Sequence, residues 1–174
     1  MSRLENLYRA LNRAGLPALA AVPGPNLRYL CGLAMHQSER LTLALFQQER
    51  SALVLPALEV PRAREQLQVD LELLPWTDEE GPEPALRRLR ERLRLSGERI
   101  GVEALGMRLL EWHALQRAFP LCQNEPVDPQ LAVLRMAKDP GEIAAMRRAA
   151  AILEQGLGSA LEKIRPGMSE RQIA

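Results

Sequence analysis

Histidine, cysteine, lysine and aromatic side chains are all scarce in this 174-residue chain. There are two histidines (His36, His113), two cysteines (Cys31, Cys122), two lysines (Lys138, Lys163), and two each of tryptophan, tyrosine and phenylalanine. The two cysteines lie far apart and form no metal-knuckle or disulfide spacing, so both read as buried thiols. With no histidine pair four residues apart, a His-Glu-x-x-His zinc helix is excluded. Basic and acidic residues number 23 and 22, a net charge of +1. Such a balance supplies no global field to draw in nucleic acid or an anionic membrane. No apolar run approaches the roughly 20 residues that span a bilayer. The opening residues carry Glu5, Asn6 and Asn12 among their apolar positions, unlike a signal peptide, so the expected compartment is the cytoplasm. Also missing are a Gly-x-Gly-x-x-Gly turn after a strand, a Walker loop and a Gly-x-Ser-x-Gly elbow.

What remains is an ordinary globular mixture, 47% apolar and 26% charged. Leu4, Leu7, Tyr8 and Leu11 recur at helical spacing and Gly15 follows, which predicts a helix over 2–14 closed by a left-handed cap. Leu19 to Val22 reads as a buried strand stopped by Pro23-Gly24-Pro25. Asn26 is the expected N-cap of a short helix through Leu30, with Gly32 closing it. Residues 34–40 read as a loop. Two apolar runs, 41–46 and 52–55, flank a polar turn and predict a β-hairpin buried on both faces. A helix containing Pro61 is expected over 58–67, and the alternation of Val69, Leu71 and Leu73 predicts a half-exposed strand.

Pro84 opens an expected helix over 85–95. It carries Leu86, Leu89 and Leu93 on one stripe and five arginines on the others, interrupted by Glu91 and without interleaved aromatics. That run reads as a solvated face, not a phosphate-binding stripe. A strand over 99–103 follows, then a helix over 107–119 with Leu109, Trp112, Leu115 and Phe119 on one side and His113 in a structural place. Leu121-Cys122 is a last extended piece. Strands alternate with helices, so the fold class is α/β, with helices on both faces of a mixed sheet.

Asp128-Pro129 starts a short helix. Asp139-Pro140-Gly141-Glu142 then combines an N-cap, a proline and a capping-box glutamate, and predicts a long helix from Pro140 to about Ile164. Its stripe is Ile143, Met146, Ala150, Leu153, Leu157, Leu161 and Ile164, and Gly156 and Gly158 suggest close helix packing. Ser169 to Gln172 is a second capping-box signature a few residues before the sequence stops, and a helix that short does not recover its nucleation cost. The chain is therefore expected to be a fragment of a longer protein. Its Cys31–His36 pair lies within one segment and makes a poor nucleophile–base dyad. From the residues alone no catalytic constellation emerges.

Two stretches go further. Pro25-Asn26-Leu27-Arg28-Tyr29-Leu30-Cys31-Gly32 resembles the Asn-x-x-Tyr-Leu-Thr-Gly signature of the creatinase/prolidase N-terminal domain, with Cys31 in place of the usual threonine. Leu134-Arg135-Met136-Ala137-Lys138 through Glu142-Ile143 resembles the linker and first catalytic-domain helix of Xaa-Pro peptidases. Leu55-Pro56 followed by Glu59, Ile100-Gly101-Val102-Glu103, and Pro166-Gly167-Met168-Ser169-Glu170 resemble further landmarks in the same order.

The resemblance implies a three-layer α/β/α domain with a mixed, mostly buried sheet and a ribonuclease H-like motif. It implies three segments: the N-terminal domain over 1–127, a linker over 128–138, and the first helix and start of the second helix of a truncated catalytic domain over 139–174. The parent would be a cytoplasmic, dimeric, metal-dependent Xaa-Pro dipeptidase or aminopeptidase acting on proline-containing peptides, with no nucleic-acid or membrane partner. Two divalent ions (manganese, cobalt or zinc) would sit in the missing domain. None of their five ligands has a counterpart in this chain, so no catalytic or metal-binding residue is expected here and the fragment alone should be inactive. His36, in the loop after the signature, is the candidate for gating the partner's active site by donating to a substrate carboxylate. Alternatives within the same architecture are a creatinase-like amidinohydrolase and a non-catalytic peptide-binding module.

Overall fold

The computed structural model describes residues 2–173, which form two compact units, one up to Arg135 and one from Met136 onward. Six helices and six strands build the first. They run α1 (Arg3–Ala14), β1 (Ala18–Ala21), α2 (Pro25–Cys31), β2 (Leu43–Gln47), β3 (Ala52–Pro56), α3 (Val60–Gln66), β4 (Glu72–Trp76), α4 (Glu83–Leu93), β5 (Arg99–Val102), α5 (Leu109–Ala118), β6 (Gln123–Pro126) and α6 (Asp128–Met136). The strands form one mixed sheet of order β4-β3-β2-β1-β5-β6. The β1–β2 and β2–β3 pairs are antiparallel; β3–β4, β1–β5 and β5–β6 are parallel.

Side chains on a strand alternate between faces, and both faces here are apolar. Ala18, Ala20, Leu43, Leu45, Ala52 and Val54 pack with α4 and α5, whereas Leu19, Ala21, Ala44, Phe46, Leu53 and Leu55 pack with α1, α2, α3 and α6. This is the three-layer α/β/α arrangement that continuous apolar runs predict. The hairpin turn is closed by Ser51, whose Oγ donates to the Gln47 carbonyl at 2.9 Å and is met at 3.0 Å by the Tyr8 hydroxyl.

The second unit holds α7 (Pro140–Lys163) and α8 (Glu170–Ile173). Asp139 caps α7 by accepting from Glu142 N, and the Glu142 carboxylate accepts from Asp139 N, as the sequence predicts. The stripe of α7 stays exposed, from Ile143 at 40% to Leu153 at 72%. A Cβ at Gly156 or Gly158 would meet nothing within 4 Å, so neither glycine marks a packed crossing among the described residues. Among the described residues no helix is long and apolar enough to cross a membrane.

Several local expectations are corrected. Gly24, not Asn26, occupies the N-cap of α2, because Pro25 takes the first helical position. Pro61 opens α3 behind a 3-10 turn (Ala57–Glu59) instead of interrupting a longer helix. The strand expected at 69–73 lies at 72–76, where β3 sets its register and Trp76 Nε1 donates to the Leu41 carbonyl at 3.0 Å. Its Pro75 is tolerated because β4 is an edge. The last strand is the polar Gln123–Pro126, after Leu121-Cys122. The stripe of α5 holds at Leu115 and Phe119, which are buried, but not at Leu109, which is 73% exposed; Glu111, Ala114 and Ala118 are buried instead. Glu111 is fully buried because Arg108 donates to its carboxylate from backbone and guanidinium alike.

Candidate functional site

The loop after α2 is set by the local geometry of its signature. Gly32 has φ 86°, and a Cβ there would lie 2.8 Å from the Gln66 carbonyl oxygen, so both conformation and space demand glycine. Ending α2 this sharply brings the chain against the end of α3, where Gln68 N donates to the Cys31 carbonyl and Ala34 N to Gln66 Oε1, each at 2.9 Å. Beyond, Gln37 Nε2 donates to the Gly106 carbonyl at 2.6 Å. At the far end the Arg40 guanidinium grips Asp78 with bonds of 2.9 and 2.7 Å, which holds the Asp78 carboxyl below its ordinary range. Met35 is buried. His36, between Met35 and Gln37, is exposed on a loop pinned at three points.

Below that loop lies the turn after β5, residues 103–107. Glu103 is 5% exposed. Its Oε2 accepts from Val22 N at 3.2 Å and its Oε1 from Asn26 Nδ2 at 2.6 Å. Burial raises the Glu103 carboxyl above its usual range against those two bonds; the Asp128 charge adds to the rise and Arg135 opposes it. Asn26 Oδ1 accepts from Arg135 NH1 at 2.9 Å, and the Tyr29 hydroxyl donates to the Leu134 carbonyl at 2.9 Å. Tyr29 is itself held by Arg3, whose guanidinium lies 4.7 Å from the ring centroid. Asp128 does not cap its own helix; its carboxylate accepts from Ala104 N and Leu105 N at 3.0 and 3.1 Å. The two motifs that carry the family resemblance therefore touch each other, through Tyr29–Leu134 and Asn26–Arg135.

Other candidates stay apart. Cys31 is buried, its Sγ donates to the Leu27 carbonyl at 3.1 Å, and burial pushes its thiol up to about 11, the opposite of an activated nucleophile. His113 is exposed and meets Trp112 edge-on at 5.2 Å, so it contributes no core packing. The arginines of α4 are exposed as expected, with Arg92 paired to Glu72 at 2.8 Å. Among the described residues no group of three or more histidine, cysteine, aspartate or glutamate side chains comes together to hold a metal ion. Divalent metals of the kind the resemblance implies therefore do not fit any cluster described in this chain. Sequence reasoning missed Gln37 as an anchor and the Asn26–Glu103–Arg135 contact; the one local hint was a charged residue directly following the apolar strand Ile100–Val102.

The fold has close counterparts among solved structures. A prolidase from Thermococcus sibiricus matches with a TM-score of 0.85 and 24% identity over 99% of this chain and 46% of that one. A dipeptidase from Pyrococcus horikoshii OT3 matches at 0.83 and 28%, covering 99% and 47%. Dipeptidase PepE from Mycobacterium ulcerans matches at 0.79 and 27%, covering 99% and 46%. In sequence, 31% identity over 180 residues relates the chain to the Mycobacterium tuberculosis protein named Probable dipeptidase PepE, covering 99% of this chain and 45% of that one. The chain thus spans slightly less than half the length of the curated relatives it matches. The Creatinase/Prolidase N-terminal domain matches residues 3–137, and the chain belongs to that family.

Proposed function

We propose that the chain is the non-catalytic N-terminal part of a metal-dependent Xaa-Pro dipeptidase or aminopeptidase P, cytoplasmic and homodimeric, whose two metals are bound beyond residue 174. In this reading residues 139–174 begin the catalytic domain, and the loop 34–40 of one subunit limits the length of peptide admitted to its partner's active site. The observation that carries the gating role is the loop itself: an exposed imidazole held on a segment fixed by Gln66, Gly106 and Asp78. A rigidly presented His36 donates to the terminal carboxylate of a short substrate without having to order a loop first.

The test compares wild type and His36→Ala in the full-length parent, with Gly-Pro or Met-Pro and with a matching Xaa-Pro tripeptide. Loss of one hydrogen bond to a charged group predicts a fall of about tenfold in dipeptide kcat/KM, with the tripeptide little changed. Equal rates for wild type and variant on both substrates would end the gating role. The 174-residue chain alone is expected to give no turnover of either dipeptide; measurable cleavage would overturn its non-catalytic assignment.

A further inference from the structure

Val22, Asn26, Glu103 and Arg135 come from four parts of the chain and form one row of hydrogen bonds. An ionised carboxylate only accepts and a guanidinium only donates, whereas a primary amide does one on each side. With both oxygens of Glu103 taking N–H groups, from Val22 and Asn26, the Asn26 amide must turn its NH2 toward Glu103. Its Oδ1 is then left facing Arg135. Reversing that amide would set oxygen against carboxylate and NH2 against guanidinium at once.

We propose that Glu103 is a positioning residue: its carboxylate fixes the orientation of the Asn26 amide, which thereby holds Arg135 and the C-terminal turn of α6, where the chain leaves its first compact unit. The same turn, 103–107, also holds the start of α6, because Asp128 accepts from the amides of Ala104 and Leu105. The helix is thus strapped at both ends to one turn, directly at Asp128 and through Asn26 at Arg135. Gly106 leaves room for this, since a Cβ there would come within 3.3 Å of Glu103 Cδ and Oε1. The proposal concerns the exit of the chain and stands independently of the gating role of His36.

Hydrogen–deuterium exchange of the 174-residue chain over residues 131–136 tests it. Glu103→Gln places a donor where an acceptor stood, lets the Asn26 amide turn over, and is expected to raise exchange there about tenfold. Arg135→Met leaves Glu103 and Asn26 in place and should give the same local rise. The decisive variant combines Glu103→Gln with Asn26→Asp at unchanged net charge. Here the new amide accepts from Val22 N and donates to the new carboxylate, which accepts from Arg135. Exchange should return to within about twofold of wild type, a non-additivity expected only of groups in one network. A double variant whose residues 131–136 exchange as fast as in Glu103→Gln alone, or faster, would overturn the proposal. So would Arg135→Met without effect on 131–136, and that variant decides the matter if Glu103→Gln alone does not fold.

Discussion

The two compact units carry similar leucine-rich amphipathic patterns with opposite outcomes. In the first, strands such as Leu43–Gln47 and the helix α4 bury their apolar positions nearly completely. In the second, Ile152, Leu153, Leu157 and Leu161 of α7 remain 57–72% exposed. Pattern alone therefore does not make a core. An apolar stripe is worth about 25 cal/mol per Å² only for area that another surface actually removes from water. What distinguishes α7 is that its capping, with Asp139 and Glu142 in reciprocal bonds, is complete while its stripe is unused.

The comparison is broken most forcefully by truncating one apolar side chain in each unit. Phe46 is fully buried between β2 and the helices of its face. Phe46→Ala is expected to cost about 3–5 kcal/mol, the range for emptying such a site. Leu157→Ala in α7 should change the stability of the 174-residue chain by less than about 0.5 kcal/mol, as for other solvent-facing positions. Urea unfolding of both variants measures this, and comparable losses would mean that the stripe of α7 is covered after all. A glycine pair sharpens the contrast, because here the two units should differ in sign. Gly32→Ala forces a side chain into a left-handed position and within 2.8 Å of the Gln66 carbonyl. It should destabilise by about 2 kcal/mol or more. Gly158→Ala, in an open helix interior, should instead favour helix by about 0.8 kcal/mol and raise the helical circular dichroism signal.

How far these contrasts could be read beforehand depends on the range of the interactions involved. The double-faced strands β1 to β3 are legible because a continuous apolar run has few other uses, and the cap at Asp139 because capping chemistry spans only three residues. Strand β4 was displaced by three residues at each end, because pairing with β3 and the Trp76–Leu41 bond outweighed a local alternation at Val69, Leu71 and Leu73. Strand β6 was missed because Gln123-Asn124-Glu125-Pro126 has no β-forming signal; it is extended because β5 offers it a parallel edge. The contacts around Glu103 were still less accessible. Asn26 is 77 residues from Glu103 and 109 from Arg135, and nothing in the local pattern of any of the three specifies the other two. The resemblance marked each of these positions as a landmark, yet their mutual contact is a property of the sheet order that sets β5 beside β1.

The smallest effect concerns pH. Because burial raises the Glu103 carboxyl in the folded chain, there is a window above the ordinary glutamate value of 4.5 in which the folded state keeps a proton that the unfolded state has released. Within that window the unfolded chain binds fewer protons, so stability falls as pH rises. The Glu103 contribution is therefore most favourable below the ordinary value and declines as pH climbs to the raised one. The fall is modest because the bonds from Val22 and Asn26 and the charge of Arg135 favour the ionised form. Melting temperatures of wild type and Glu103→Gln across pH 4 to 7 isolate this group, since the other carboxylates titrate in both proteins. The wild type should lose ground against the variant as pH rises through the window. A difference that stays flat, or that grows in favour of the wild type, would show that the hydrogen bonds at Glu103 outweigh its burial.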